Sequence, residues 1–301
     1  MENTLRENRP TFEEREGLIK PAQMQRGHVS KETRALLWAI FHECIKKETD
    51  IDRRRVSGRF NQAVFTYWIR RCHRAADEYS SKASHVIEFV KNIVMEQSYG
   101  KTLGFCEFVL SVRVDSDLNT YIKNALSETK CAYRVFDGDL IAPIGVEEEA
   151  DTLERALNAA KENGFSGVRK HFRNSAQLLT EGKFADSIRE SIHAVAATAR
   201  RLDPKSNNTL GPALNMLQRK GVLPNNQLKS AITSLYAYTN TSEGIRHELF
   251  SSSQAAEDEA DALFMLGACA SFVSFLIAKA QNSGIELQPE SAESNQSTGL
   301  E

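Results

Sequence analysis

The sequence predicts a mainly α protein: an N-terminal helical domain with one β-hairpin, followed by a helical bundle. Three observations predict it. Apolar residues recur at helical spacing along most of the 301 residues, as in Leu36, Leu37, Ile40, Phe41, Cys44 and Ile45. Only CAYRVFDGDLIAPI, at 131–144, places two short β-prone runs around an Asp-Gly turn. The run at 263–278 is apolar on most sides, as expected of a helix at the centre of a bundle. At 41% hydrophobic residues, the length suits about two domains. We place them at 1–148 and 149–281, with a disordered tail over 282–301 that is rich in Ser, Gln and Glu.

The first twenty-odd residues are polar, punctuated by Pro10 and Pro21, and read as an extended arm or a short helix. Ser30 then opens a helix whose outer face carries Glu32, Arg34 and Glu43. Beside its apolar stripe, Trp38 and His42 read as a packed aromatic and a satisfied histidine. The charged stretch 46–59 holds Arg53, Arg54 and Arg55 and ends near Gly58, which gives a loop or helix junction with solvated charges. Phe60, Val64, Tyr67, Trp68 and Ile69 mark the next helix, followed by Arg70, Arg71 and His73. Aromatics beside arginines suit base stacking, but core packing accounts for the same residues more simply. Val86, Phe89, Val90, Ile93 and Val94 mark another helix, and 103–110 and 118–126 two more. In the hairpin, Asp137 and Gly138 supply the positive φ values of a tight turn and Pro143 ends the second strand. An isolated hairpin is marginal, so this one must lie against helices.

Glu147 to Asp151 make an acidic start for a helix through Leu153, Ala156, Leu157 and Ala160, closed by Asn163 and Gly164. Val168, Phe172, Ala176 and Leu179 give the next helix, stopped at Gly182. The helix over 185–202 has Ile188, Ile192, Val195, Ala196, Ala199 and Leu202 on one face. Glu190 and His193 fall on its wetter face, with Ser191 at the margin. Their ExxH spacing is that of di-iron bundles, but such a centre needs a second copy and more carboxylates, and no second copy occurs. No metal and no cofactor are therefore expected. Leu210, Leu214 and Leu217 form a short helix ending at Gly221, and Leu228, Ile232 and Leu235 continue the bundle before the long last helix.

Charge and cysteines narrow the function classes. There are 23 Lys+Arg against 20 Asp+Glu up to Gly145 and 15 against 20 beyond it, so neither part offers the broad basic face of a sequence-independent duplex binder. A local site for one RNA loop remains compatible with that balance. The five cysteines are scattered without a CxxC pair, which argues against a disulfide framework or zinc finger and for a cytoplasmic protein. The charged start is no signal peptide, and the run at 263–278 falls short of a bilayer span, so no membrane is expected.

Among the charged groups, Arg246 and His247 in SEGIRHELF stand out because they are adjacent. Histidine takes and gives a proton near neutrality, and arginine is a fixed cation whose planar fork suits phosphate. The pair has the chemistry to bind or cleave a phosphodiester. Two adjacent polar residues opening a helix are more often a cap beside a surface charge.

Three runs carry a resemblance: GVRKHFRNSAQLLTEGKFADSIRESIHAVAATARRL, TLGPALNMLQRKGVLPNNQLKSAITSLYAYTNTSEGIRHEL and EADALFMLGACASFVSFLI. They resemble the C-terminal helical domain of AbiJ-type abortive-infection proteins, and REGLIKPAQMQ, ETRALLWAIF and AYRVFDGDLIAPI resemble the N-terminal domain found with it. The resemblance implies a HEPN-like helical bundle, often dimeric and often a metal-independent ribonuclease in anti-phage defence. Active members carry Arg, four to six residues, then His; here the pair is compressed to Arg246-His247, and no other Arg and His have that spacing. As the resemblance implies, His247 would move the proton of a ribose 2′-hydroxyl or leaving oxygen and Arg246 would stabilise charge on phosphate. Glu190 and Ser191 match the family's Glu-Ser step and, with His193, would orient that pair or the RNA. The implied partners are RNA, with tRNA one candidate, a second copy of the chain, and a phage-derived trigger or second defence component. The alternative is a non-catalytic module that binds a nucleotide or RNA, or that senses phage through a dimer.

Overall fold

The computed structural model describes residues 25–115, 117–202, 210–223, 225–241 and 257–283. The described residues form eleven helices and two small antiparallel sheets, a mainly α fold. They fall into two compact units that divide between Pro143 and Ile144.

The first unit contains α1 (Lys31–Lys47), β1 (Thr49–Asp50), β2 (Arg55–Val56), α2 (Arg59–Arg70), α3 (Ala83–Met95), α4 (Tyr99–Ser111), α5 (Leu118–Glu128), β3 (Tyr133–Phe136) and β4 (Leu140–Pro143). Ser30 caps α1 by accepting the Thr33 N–H at 3.0 Å, and Leu37, Phe41 and Ile45 are buried one turn apart. Arg34 departs from the expected outer face. Its Nη1 donates to Thr102 Oγ1 at 2.8 Å and to the Val94 carbonyl, while Nε donates to the Val29 carbonyl. Val94 lies in the last turn of α3, where carbonyls lack helical partners and the dipole favours a cation, so the guanidinium turns inward.

The charged junction at 46–59 holds the two-residue β1–β2 ladder, a pairing additional to the expected hairpin. Its Glu48 carboxylate accepts the Phe60 and Asn61 N–H groups at 2.9 and 3.1 Å and so caps α2 from outside. Gly58 permits this approach, because a Cβ there would lie 2.1 Å from the Glu48 carboxyl carbon. Trp68 is occupied within the protein: its indole donates to the Ala75 carbonyl at 2.9 Å, its ring meets Phe89 edge-on, and the Arg74 guanidinium lies 4.6 Å from its centroid. In the β3–β4 hairpin, Asp137 and Gly138 take φ values of 50° and 92°. Phe136 pairs with Leu140, so Asp139 joins the loop and the turn is one residue longer than the two-residue form. The hairpin rests on helices as its size requires, with the Glu107 carboxylate accepting the Ile141 N–H at 2.9 Å. Arg134 is 3% exposed and donates to the carbonyls of Leu126, Cys131 and Tyr133, closing the end of α5.

The second unit contains α6 (Glu147–Glu162), α7 (Ser166–Thr180), α8 (Phe184–Leu202), α9 (Leu210–Arg219), α10 (Asn226–Thr241) and α11 (Glu259–Asn282). Asp258 and Asp261 cap the start of α11 reciprocally, each side chain accepting the other's N–H at 3.0 Å. The helix around the long apolar run is 24 residues, and by length and composition it could cross a membrane. Met265, Leu266, Cys269, Val273, Leu276 and Ile277 are buried, and α11 packs on α6, α7 and α8, the central position expected for it. All five cysteines are free thiols.

Replacing Arg134 with Met leaves three buried carbonyls without this donor. We expect urea unfolding, followed by circular dichroism, to show a loss of about 2–3 kcal/mol; an unchanged midpoint would mean that the carbonyls find other partners.

Candidate functional site

Helices α7 and α8 form an antiparallel pair joined through Gly182, whose φ of 74° suits the left-handed end of a helix. Small residues line their seam. Ser175, Ser187 and Ser191 are all fully buried. The Ser175 hydroxyl lies 2.8 Å from Ser191 Oγ, 3.1 Å from Ser187 Oγ and 2.9 Å from the Ser187 carbonyl, and Ser187 Oγ donates back to the Ser175 carbonyl at 2.9 Å. Ser191 therefore lies inside the seam and not at the margin of a wet face. Its hydroxyl tolerates burial because α7 supplies a partner directly opposite.

At the partly exposed edge of this seam the polar groups grow larger. His171 and Asn174 come from α7, and Glu190 and His193 from α8. His171 Nδ1 lies 2.9 Å from Glu190 Oε2, and Asn174 donates to the same oxygen at 3.2 Å. On the other side, His193 Nδ1 lies 3.6 Å from Glu190 Oε1. The two imidazoles are edge to face with centroids 5.5 Å apart. Side-chain exposure rises from 21% for Glu190 through 27% for His171 to 44% for His193, so the carboxylate sits deepest and the second imidazole faces water.

Electrostatics follow from that placement. Burial pushes the Glu190 carboxyl up, but hydrogen bonds from His171 and Asn174 and the two neighbouring imidazoles outweigh it, and the group is held below the usual carboxylate range. Burial pushes His193 below its ordinary 6.5; Glu190 pulls it up and His171 pushes it down, leaving a net depression. A neutral imidazole beside an ionised carboxylate can accept a proton or donate a lone pair. One ligand atom from each of His171, Glu190 and His193 lies within 4.8 Å of the others, so the ExxH step gains its third potential ligand from the preceding helix.

The structure thus brings Glu190 and His193 together with His171 and Asn174, which sequence reasoning missed. Their signal was present in HFRNS, where His171 and Asn174 are three apart on α7 as Glu190 and His193 are on α8. Arg246 and His247 lie outside the described residues.

Two outcomes test this geometry. Ser175→Leu forces bulk into a seam with no free space and is expected to cost about 1–3 kcal/mol in thermal unfolding. In side-chain NMR titrations, His193 should titrate below 6.5, and Glu190→Gln should lower it further by removing the carboxylate that favours imidazolium. Because the unfolded chain takes up that proton first, the His193 contribution to stability falls as pH drops through 6.5 toward its folded value. A His193 resonance titrating above 6.5 would contradict the burial.

The family model of AbiJ N-terminal domain 4 matches residues 10–159. No curated protein matches the chain. No solved structure matches it either.

Proposed function

We propose, from the AbiJ-type N-terminal domain that the chain carries, that the protein acts in abortive infection against phage and that its second unit is a metal-independent ribonuclease of the HEPN kind. The domain match is the observation behind the defence role. For the chemistry, support comes from the cluster of His171, Asn174, Glu190 and His193, a polar group with proton-transfer chemistry at the partly exposed edge of the α7–α8 seam. In this reading His247 takes the proton of the ribose 2′-hydroxyl as it attacks the adjacent phosphorus. Arg246 neutralises the charge growing on the phosphate oxygens, and the proton taken up by His247 is returned to the leaving 5′-oxygen. Glu190 and His193 orient RNA or the Arg-His pair, and Ser191 acts through the seam that holds Glu190 in place. In the same reading, two copies of the chain combine their Arg-His pairs around one phosphate. RNA, with tRNA one candidate, is the substrate, the cytoplasm is the place of action, and a phage product or second defence component relieves inhibition.

A second reading has its own observation. Phe264 is 62% exposed beside a groove of about 540 Å³ lined by Ala231, Ser234, Leu235, Asp261 and Met265. An open apolar edge of this sort suits a dimerisation module that senses phage or binds a nucleotide without cleaving RNA.

Cleavage of total RNA and tRNA by purified protein in EDTA distinguishes the readings, with wild type compared with His247→Ala after folding and oligomeric state are matched. The ribonuclease reading expects wild type alone to cleave. Equal cleavage by both, or none by either when the phage trigger is present, would overturn it.

A further inference from the structure

We propose that His171, Glu190 and His193 form a binding site for one first-row divalent transition-metal ion, with zinc the best fit. The proposal uses the Glu190 and His193 to which the ribonuclease reading gives an orienting role, but it concerns binding of an ion and not cleavage. Four features of the second unit carry it.

The first is donor chemistry. Two imidazoles and one carboxylate make a mixed nitrogen and oxygen set, which suits zinc, cobalt or nickel. Magnesium and calcium prefer all-oxygen shells with more ligands, and a di-iron centre needs carboxylates that this cluster lacks.

The second is spacing. Zinc bonds of about 2.0–2.2 Å to nitrogen and oxygen place neighbouring ligands of a tetrahedron about 3.3 Å apart. His171 Nδ1 lies 2.9 Å from one carboxylate oxygen, Glu190 Oε2, and His193 Nδ1 lies 3.6 Å from the other, Oε1, so each imidazole already stands at about that distance from a carboxylate oxygen. All three ligand atoms already lie within 4.8 Å of one another, so rotamer adjustment suffices to close the set around an ion.

The third is support. Glu190 and His193 are three apart on one helix face and His171 faces them from α7, so the ligands stand on two packed helices and not on loops. Asn174 donates to Glu190 Oε2 at 3.2 Å and holds the carboxylate in place, the role of an outer hydrogen-bond partner in metal centres. The buried serine contacts fix the distance between the two helices.

The fourth is access. His193 is 44% exposed, so an ion enters from water and keeps a position for a water molecule or an anionic oxygen beside its three protein ligands. Bound there, the ion links α7 to α8 through His171 and displaces the proton shared between His171 and Glu190 to solvent.

The experiment uses the full chain stripped with a chelator and then dialysed. Zinc is titrated by calorimetry, cobalt by its visible absorption bands, and the thermal midpoint is read with and without zinc. One equivalent should bind and raise the midpoint. His171→Ala, His193→Ala and Glu190→Gln should each weaken binding by about a hundred-fold, and Asn174→Ala by about ten-fold. His85→Ala, an exposed histidine on α3, should bind like wild type. Glu190→Gln keeps the size of the side chain, so it remains informative if an alanine variant unfolds. No binding by wild type, or full-strength binding by the Glu190 and His193 variants, would overturn the site. As the assay contains no RNA, its outcome is separate from that of the cleavage test.

Discussion

The distance between α7 and α8, set by Ser175, Ser187 and Ser191, is the constraint on which the candidate site depends. Serine brings two helices close, as alanine would, but also links them by hydroxyls that need partners. Here every one of the three hydroxyls has a partner within the seam. A fully satisfied buried network fixes one arrangement, whereas a greasy seam of the same size tolerates sliding. With the helices held this near, longer side chains at the seam's edge have no choice but to meet, and Glu190 lies between two imidazoles.

Much of this architecture was legible in the sequence because apolar spacing reports local structure directly. Leu37, Phe41 and Ile45 on α1, and Ile188, Ile192, Val195 and Ala199 on α8, bury as their periodicity requires. Asp137-Gly138 marked a turn for a local reason as well, the tolerance of both residues for positive φ. What the sequence withheld depends on partners far along the chain. Arg34 reads as a surface cation until the open carbonyls at the end of α3 are placed beside it, 60 residues away. His171 is unremarkable until the register of α7 against α8 sets it opposite Glu190, and Ser191 sits at the edge of one helix but in the middle of two. The second ladder escaped because two paired residues leave no pattern to detect.

The two units build their interiors differently. Phe41, Phe60, Phe105 and Tyr67 dominate the first, with ring centroids 4.9 to 5.8 Å apart. Arginine side chains reach in to the open carbonyls at its helix ends, as Arg34 and Arg134 do. In the second unit α8 buries Ala194, Ala196 and Ala199 along with its serines, and α11 buries Ala262, Ala270 and Ala280. Small side chains let these helices approach closely, which concentrates polar contacts at few places and makes the α7–α8 cluster stand out.

The place of α11 in the chain bears on how the second unit is made. A helix this apolar is hazardous while it lacks neighbours, because it invites aggregation or capture by lipid. Its partners α6, α7 and α8 all precede it in the sequence. On the ribosome they have left the exit tunnel before α11 is finished, so the most water-averse helix emerges beside surfaces already assembled to receive it. The order of synthesis thus protects the chain at its most vulnerable stretch, a safeguard that a circular permutation placing α11 first would remove while leaving every native contact available.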